Sequence, residues 1–131
     1  MDDVFGPGGT LARALPGYEP RPEQAALAAA VDRALSSGEH LVAEAGTGVG
    51  KSLAYLVPVL ASRQRVVVAT ATKALQEQLL RSDVPVASAV SGRRVRVEVL
   101  KGRQNYLCRR QLQGFAPSRP SASSDGANPW S

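Results

Sequence analysis

The stretch EAGTGVGKS, residues 44–52, decides how the rest of this sequence is interpreted. Glycines recur through it and a Lys–Ser pair closes it, so Gly50, Lys51 and Ser52 match the end of the pattern G-x-x-x-x-G-K-[ST]. Ala45 stands at the first glycine of that pattern. Small residues let successive backbone N–H groups converge on an anion at the start of a helix. The sequence therefore predicts a phosphate-binding loop, and the alternative is a glycine-rich turn with a surface lysine.

Three short segments rich in apolar residues predict strands. HLVAEA, residues 40–45, leads into the loop, and QRVVVATAT, residues 64–72, is typical of a buried parallel strand. RRVRVEVL, residues 93–100, alternates basic and apolar residues, as a strand with one buried face does. Strands that alternate with helices predict an α/β fold, with a parallel sheet and flanking helices.

Helical signals fill the segments between these strands. RPEQAALAAAVDRALSSG, residues 21–38, has a proline near its start and a glycine at its end, which are the expected start and stop signals. KSLAYLVPVLASR, residues 51–63, predicts an apolar helix that Pro58 should kink or shorten. KALQEQLL, residues 73–80, has helical spacing, whereas DVPVASAV, residues 83–90, is ambiguous.

Length and composition predict one domain within the 131 residues. We expect a flexible lead-in with a short helix over residues 1–16, the domain over residues 17–112, and a disordered, low-complexity tail over residues 113–131. A single cysteine excludes an internal disulfide, and no signal peptide or membrane-length apolar run is seen, so we expect a cytoplasmic protein without membrane contact. The net charge of +5 favours polyanionic partners without proving one.

Four segments, taken in order, resemble the N-terminal part of the superfamily 2 DNA helicases of the DinG and XPD type. They are YEPRPEQ (18–24), EAGTGVGKSLAYLVPVL (44–60), VVVATATKALQEQLL (66–80) and LKGRQNYLCRRQL (100–112). Alanine at the first loop position is ordinary in this family. The resemblance implies a partial RecA-like domain from an ATP-dependent DNA helicase, with ATP, Mg²⁺ and single-stranded DNA as its ligands.

The expected nucleotide site combines the loop with residues upstream of it. Lys51 would reach the β- and γ-phosphates, and the hydroxyl of Ser52 would ligate Mg²⁺. The resemblance implies that Arg21 and Gln24 match an adenine-reading motif and that Tyr18 lies near the ring. Alternatively, Gln24 is only a polar residue in the first turn of a helix. The full candidate set is Tyr18, Arg21, Gln24, Ala45, Gly46, Thr47, Gly48, Val49, Gly50, Lys51 and Ser52.

The resemblance also implies contacts with single-stranded DNA. Thr70 and Thr72 match the segment that grips the DNA backbone, and hydroxyls at a strand end can donate to phosphate oxygens. The alternative is that these threonines bond their own backbone. Lys101 and Arg103 belong to a basic run that suits a polyanion, although a solvated strand face would look the same.

Cys108 is the one cysteine, in the sequence NYLCRR. A nucleophilic thiol needs a base within reach, and the one histidine, His40, lies far away along the chain. A buried structural cysteine is the ordinary alternative. The resemblance implies instead that Cys108 matches the first of four ligands of the family's iron–sulfur cluster. The other three are missing, so we expect an orphaned ligand and no cluster in this chain.

Two elements of a working helicase are not found. The acidic residues after Lys51 are Glu77, Asp83, Glu98 and Asp125, and none ends an apolar strand as an Asp-Glu-x-His element would. The second RecA-like domain is also missing. We therefore expect a truncated, monomeric, ATP-binding segment that is inactive alone. The alternatives are a small phosphate-loop NTPase or kinase, and a nucleic-acid-binding module without enzymatic activity.

Overall fold

The structure of the chain is a computed structural model, and it describes residues 2–115. The chain divides into two compact units, Met1–Glu98 and Val99–Ser131. The expected disordered tail, residues 113–131, lies outside the described residues except for its first three positions.

The described part of the first unit is built from helices. The 16-residue helix begins at a proline and ends before Gly38, whose left-handed backbone (φ 72°) lets its N–H donate to the carbonyl of Ala34 at 2.9 Å. The structure thus confirms the helix that the sequence predicts over residues 21–38. The helices are α1 (Asp2–Phe5), α2 (Thr10–Ala14), α3 (Pro22–Ser37), α4 (Lys51–Ala61), α5 (Lys73–Gln78) and α6 (Val84–Ser91).

One widened turn joins α5 to α6. Leu79–Asp83 forms a π-helical turn, and α6 follows it directly at Val84. The segment 83–90, which was ambiguous in the sequence, is therefore helical. Pro85 follows this turn in the first turn of α6. Proline lacks an N–H, and its ring would collide with the carbonyl four residues earlier in a regular α-helix. The widened turn accommodates the proline without ending the helical path.

Helix α4 lies at the centre of the core, in contact with both α3 and α6. Ala28 of α3 and Ala54 of α4 are both fully buried. Leu56 and Val57 are each only 3% exposed, and Pro58 is buried within α4 as well. This packing fixes the direction of α4, and hence the position of the loop that precedes it.

The N-terminal residues contribute to the same core. Phe5 and Leu11 are 1% and 0% exposed, and α1 packs against both α2 and α3. The sequence led us to expect a flexible lead-in with one short helix over residues 1–16. The structure instead has two short helices there, because two large apolar side chains find room against the core.

The expected parallel sheet is not present among residues 2–115, where the structure has no strand. Segments 40–45, 64–72 and 93–100 are irregular and form no strand. Val67, expected in a buried strand, is 91% exposed, and Val42, expected in the short strand before the loop, is 98% exposed. A strand exists only through bonds to neighbouring strands, and valines alone cannot supply those partners. The α/β expectation is therefore not met by the described residues.

The second unit is described over residues 99–115. It contains a 3₁₀ turn, Arg103–Asn105, and helix α7, Arg109–Phe115. The hydroxyl of Tyr106 accepts a hydrogen bond from the backbone N–H of Lys101 at 2.9 Å, which closes the turn between them. None of the helices within residues 2–115 is both long enough and apolar enough to cross a membrane.

Candidate functional site

The glycine-rich loop has the backbone geometry that an anion site requires. Gly48 and Gly50 both adopt left-handed conformations, with φ of 81° and 79°. Gly50 caps α4, which begins at Lys51. The first N–H groups of a helix have no partner within the helix, and the helix dipole favours negative charge there. The loop therefore presents free donors and positive potential at its junction with α4.

Lys51 folds back over the loop that precedes it. Its Nζ donates to the carbonyl oxygens of Ala45 and Gly46, at 2.8 and 2.7 Å. The side chain remains exposed to solvent. The ammonium group of Lys51 thus lies at the start of the loop, whereas the backbone of Lys51 lies at the end of the loop. The positive charge is therefore placed over the loop.

Ser52 occupies the first turn of α4, and its hydroxyl is near enough to Tyr55 to affect the pKa of that side chain. Burial raises the pKa of Tyr55, the hydroxyl of Ser52 lowers it by less, and the nearby carboxylate of Asp83 raises it further. Tyr55 therefore stays protonated at neutral pH. The sequence analysis did not single out Tyr55, although its spacing of three residues from Ser52 places both on one helix face.

Two of the upstream residues, Arg21 and Gln24, contact the loop, and Tyr18 contacts Gln24. Arg21 donates to the carbonyl of Gly48, and Nε2 of Gln24 donates to the carbonyl of Gly50 at 3.0 Å. The hydroxyl of Tyr18 donates to Oε1 of Gln24 at 2.8 Å. Gln24 is 2% exposed, and it is the one buried polar side chain in the described part of the chain. Thr47 is exposed and Val49 is half-buried.

Comparison with known proteins decides the family. A family model described as DEAD/DEAH box helicase matches residues 22–118, which is more than half of the chain. The chain belongs to the DEAD/DEAH box helicase family. This family implies the RecA-like fold, of which the described residues show the helices and the loop but not the sheet.

Relatives within this family carry the names of DNA helicases. The chain is 47% identical over 113 residues to the ATP-dependent DNA helicase YoaA of Escherichia coli, covering 86% of this chain and 18% of that protein. It is 51% identical over 106 residues to the ATP-dependent helicase DinG of Mycobacterium tuberculosis, covering 75% of this chain and 16% of that protein. The chain thus spans less than a fifth of the relatives it matches. No solved structure matches it significantly.

The two threonines of this helicase chain that were expected to contact DNA bond their local backbone. The hydroxyl of Thr70 donates to the carbonyl of Thr72 at 3.1 Å. Oγ1 of Thr72 accepts from the N–H of Leu75 at 3.2 Å and so caps α5, which is worth about 1 kcal/mol for a threonine cap. Thr70 is half-buried and Thr72 is exposed, and the hydroxyl proton of Thr72 is still available to an acceptor.

The remaining candidates lie in the second unit. Lys101 and Arg103 are exposed, and so is the free thiol of Cys108. Among residues 2–115, no group of three or more His, Cys, Asp or Glu side chains could hold a metal ion. The structure thus describes Cys108 as an accessible thiol.

Proposed function

We propose that the loop Gly46–Ser52 binds ATP with Mg²⁺, and that the chain is the ATP-binding segment of an ATP-dependent DNA helicase. The observation that carries this proposal is the left-handed Gly50 cap at the start of α4, with the ammonium group of Lys51 held over the loop. A phosphate chain placed there would meet backbone N–H groups, a helix N-terminus and a lysine at once. Cationic ligands would be repelled here, and neutral ligands would gain hydrogen bonds without the attraction between opposite charges.

The side chains of the loop have separable tasks on binding. Lys51 exchanges its bonds to the carbonyls of Ala45 and Gly46 for bonds to phosphate oxygens, or shares itself between them. Ser52 offers a hydroxyl oxygen, a ligand type that Mg²⁺ accepts. When bound, Mg²⁺ neutralises charge that develops on the phosphates.

Replacing Lys51 by alanine tests this assignment. We expect the affinity for a fluorescent ATP analogue with Mg²⁺ to fall about tenfold or more, because a charge-assisted hydrogen bond is removed. Arg33→Ala is the matched control, since it removes an exposed positive charge from α3 instead. Equal binding by the wild-type chain and Lys51→Ala would sink the assignment.

For DNA, we propose that Thr70 and Thr72 in the first unit can contact the backbone of single-stranded DNA, and separately that Lys101 and Arg103 in the second unit can do so. The support is their type and accessibility: hydroxyls and cations that can meet phosphate oxygens without reading sequence. Cys108 remains proposed as an orphaned iron ligand, supported by its exposed free thiol. One thiolate cannot replace the four that an iron–sulfur cluster needs.

This chain alone is expected to show no ATP hydrolysis above background and no DNA unwinding. Glu77 is paired with Arg81 at 2.8 Å on the helix surface, and Asp83 lies in the π-helical turn, so neither ends an apolar strand as the water-orienting acid of such a helicase would. Release of phosphate from ATP, with and without single-stranded DNA, is the measurement. DNA-stimulated hydrolysis that disappears in Lys51→Ala would contradict the expectation.

A further inference from the structure

Two side chains upstream of the loop hold its carbonyl groups from the outside. Arg21 bonds the carbonyl of Gly48, and Gln24 bonds the carbonyl of Gly50. The second contact is close, because a Cβ added at Gly50 would overlap Nε2 of Gln24. Both bonds join residues 26 or 27 positions apart in the chain, so they fasten the loop to the start of α3.

These bonds bear directly on the anion site. A trans peptide directs its carbonyl and its N–H to opposite sides. The carbonyl of Gly48 shares a peptide with the N–H of Val49, and that of Gly50 shares one with the N–H of Lys51. The carbonyl of Gly50 also accepts the first backbone bond of α4, from the N–H of Ala54 at 3.2 Å, so Gln24 reinforces an orientation that the helix favours, whereas Arg21 holds the carbonyl of Gly48. With both carbonyls held, the N–H groups of Val49 and Lys51 are directed to the opposite side, which is the orientation that an anion-binding nest needs.

Gln24 is itself held by the N-terminal segment. The carbonyl of Gly50 can only accept a hydrogen bond, so the nitrogen of the amide must face it and Oε1 must face Tyr18. The hydroxyl of Tyr18 also lies 3.1 Å from the carbonyl oxygen of Phe5. Burial raises the pKa of this hydroxyl, against a smaller opposing effect of the charge on Arg21, so it remains a donor at neutral pH.

We propose that Arg21 and Gln24, with Gln24 anchored by Tyr18, are positioning residues that set the phosphate-binding shape of the loop before any nucleotide arrives. The inference rests on the proposed ATP site and adds how that site is supported. A positioning role of Gln24 differs in one measurable consequence from direct recognition of adenine by Gln24. An amide that acts on the backbone of the loop affects every nucleoside triphosphate equally, whereas an amide that reads the base affects ATP alone.

The test uses the full 131-residue chain and two nucleotides. Gln24→Met keeps the length and burial of the side chain but removes its donor and acceptor, and Tyr18→Phe removes only the anchoring hydroxyl. Fluorescent ATP and GTP analogues are titrated with Mg²⁺ well below the melting temperature. Gln64→Leu is the matched control, because it also deletes a glutamine-to-carbonyl bond, from Gln64 to Leu35, but far from the loop along the chain.

We expect Gln24→Met to weaken ATP and GTP binding by the same factor, about fivefold to tenfold, which is the equivalent of one hydrogen bond. Tyr18→Phe should weaken both by a smaller factor, and the double variant should be no weaker than Gln24→Met alone, since both act through one chain of bonds. Gln64→Leu should leave both affinities unchanged. A selective loss of ATP binding in Gln24→Met, or unchanged affinity for both nucleotides, would overturn the inference.

A measurement without nucleotide keeps this inference separate from the proposed function. In the free protein, Gln24→Met should shift the backbone amide resonance of Lys51, because the Gly50–Lys51 peptide loses the donor from Gln24, and it should shift that of Val49 less, because Arg21 still bonds the carbonyl of Gly48. Unshifted amides would reject the positioning role even if the loop binds ATP. Conversely, shifted amides in a chain whose ATP affinity ignores Lys51→Ala would support the positioning role and reject the ATP assignment.

Discussion

Gly50→Ala is expected to abolish nucleotide binding and to lower the free energy of unfolding by about 2–4 kcal/mol. Gly50 has a φ of 79°, which costs a residue with a Cβ. The added methyl group would also overlap Nε2 of Gln24. Since Gln24 is buried, it cannot swing aside without breaking its bonds to Gly50 and Tyr18. Urea denaturation and titration with a fluorescent ATP analogue measure the two effects.

Gly38→Ala is the matched control for this variant. Gly38 also has a left-handed backbone, with φ of 72°, but nothing lies within 4 Å of a Cβ added there. It should therefore show the backbone cost alone, about 1 kcal/mol, with normal nucleotide affinity. If Gly50→Ala binds nucleotide as well as Gly38→Ala does, the close contact between the loop and Gln24 is not needed for binding.

The largest loss of stability is expected from Leu56→Ala, at about 2–5 kcal/mol. Leu56 is 3% exposed in the centre of α4, and α4 packs against both α3 and α6. A cavity there would be a large share of the 5–15 kcal/mol that typical domains have in total. Thermal and urea denaturation, followed by circular dichroism, give the change directly.

Val67→Ala provides the opposite expectation from the same chain. Sequence patterning places Val67 in a buried strand, whereas the structure leaves it 91% exposed. We expect a change within about 0.5 kcal/mol, as for other surface substitutions. A loss comparable to that of Leu56→Ala would mean that segment 64–72 is packed in solution, and that the helical core described above is incomplete.

The features that the sequence predicted well depend on neighbouring residues. Pro22 and Gly38 bracket α3 because a fixed φ favours a helix start and a left-handed glycine favours its end. The glycine-rich loop that leads into a helix at Lys51 was likewise predicted from a short pattern, since glycine conformations and a helix N-terminus are local properties, whereas phosphate binding by this loop stays a prediction. The hydrogen bonds from Lys51 to the carbonyls of Ala45 and Gly46 also join residues that are only five or six positions apart.

The features that the sequence did not predict depend on distant residues. A sheet needs hydrogen-bonded neighbours, and the valines of segments 40–45 and 64–72 do not specify where those neighbours are. The bond between Tyr18 and the carbonyl of Phe5 spans 13 residues, and a backbone carbonyl leaves no mark in the sequence. For the same reason, the patterns could name Gln24 as a candidate but could not show that its amide faces Gly50.

The central claim is that the loop Gly46–Ser52 receives the phosphates of ATP, and backbone amide chemical shifts test it most directly. On addition of ATP with Mg²⁺, the resonances of Gly46–Ser52 should shift strongly in the wild-type chain. They should shift much less with AMP, which lacks the phosphates that Lys51 would meet. The account would be contradicted if ATP left these amides in place and shifted instead the amides of the basic residues between 99 and 115.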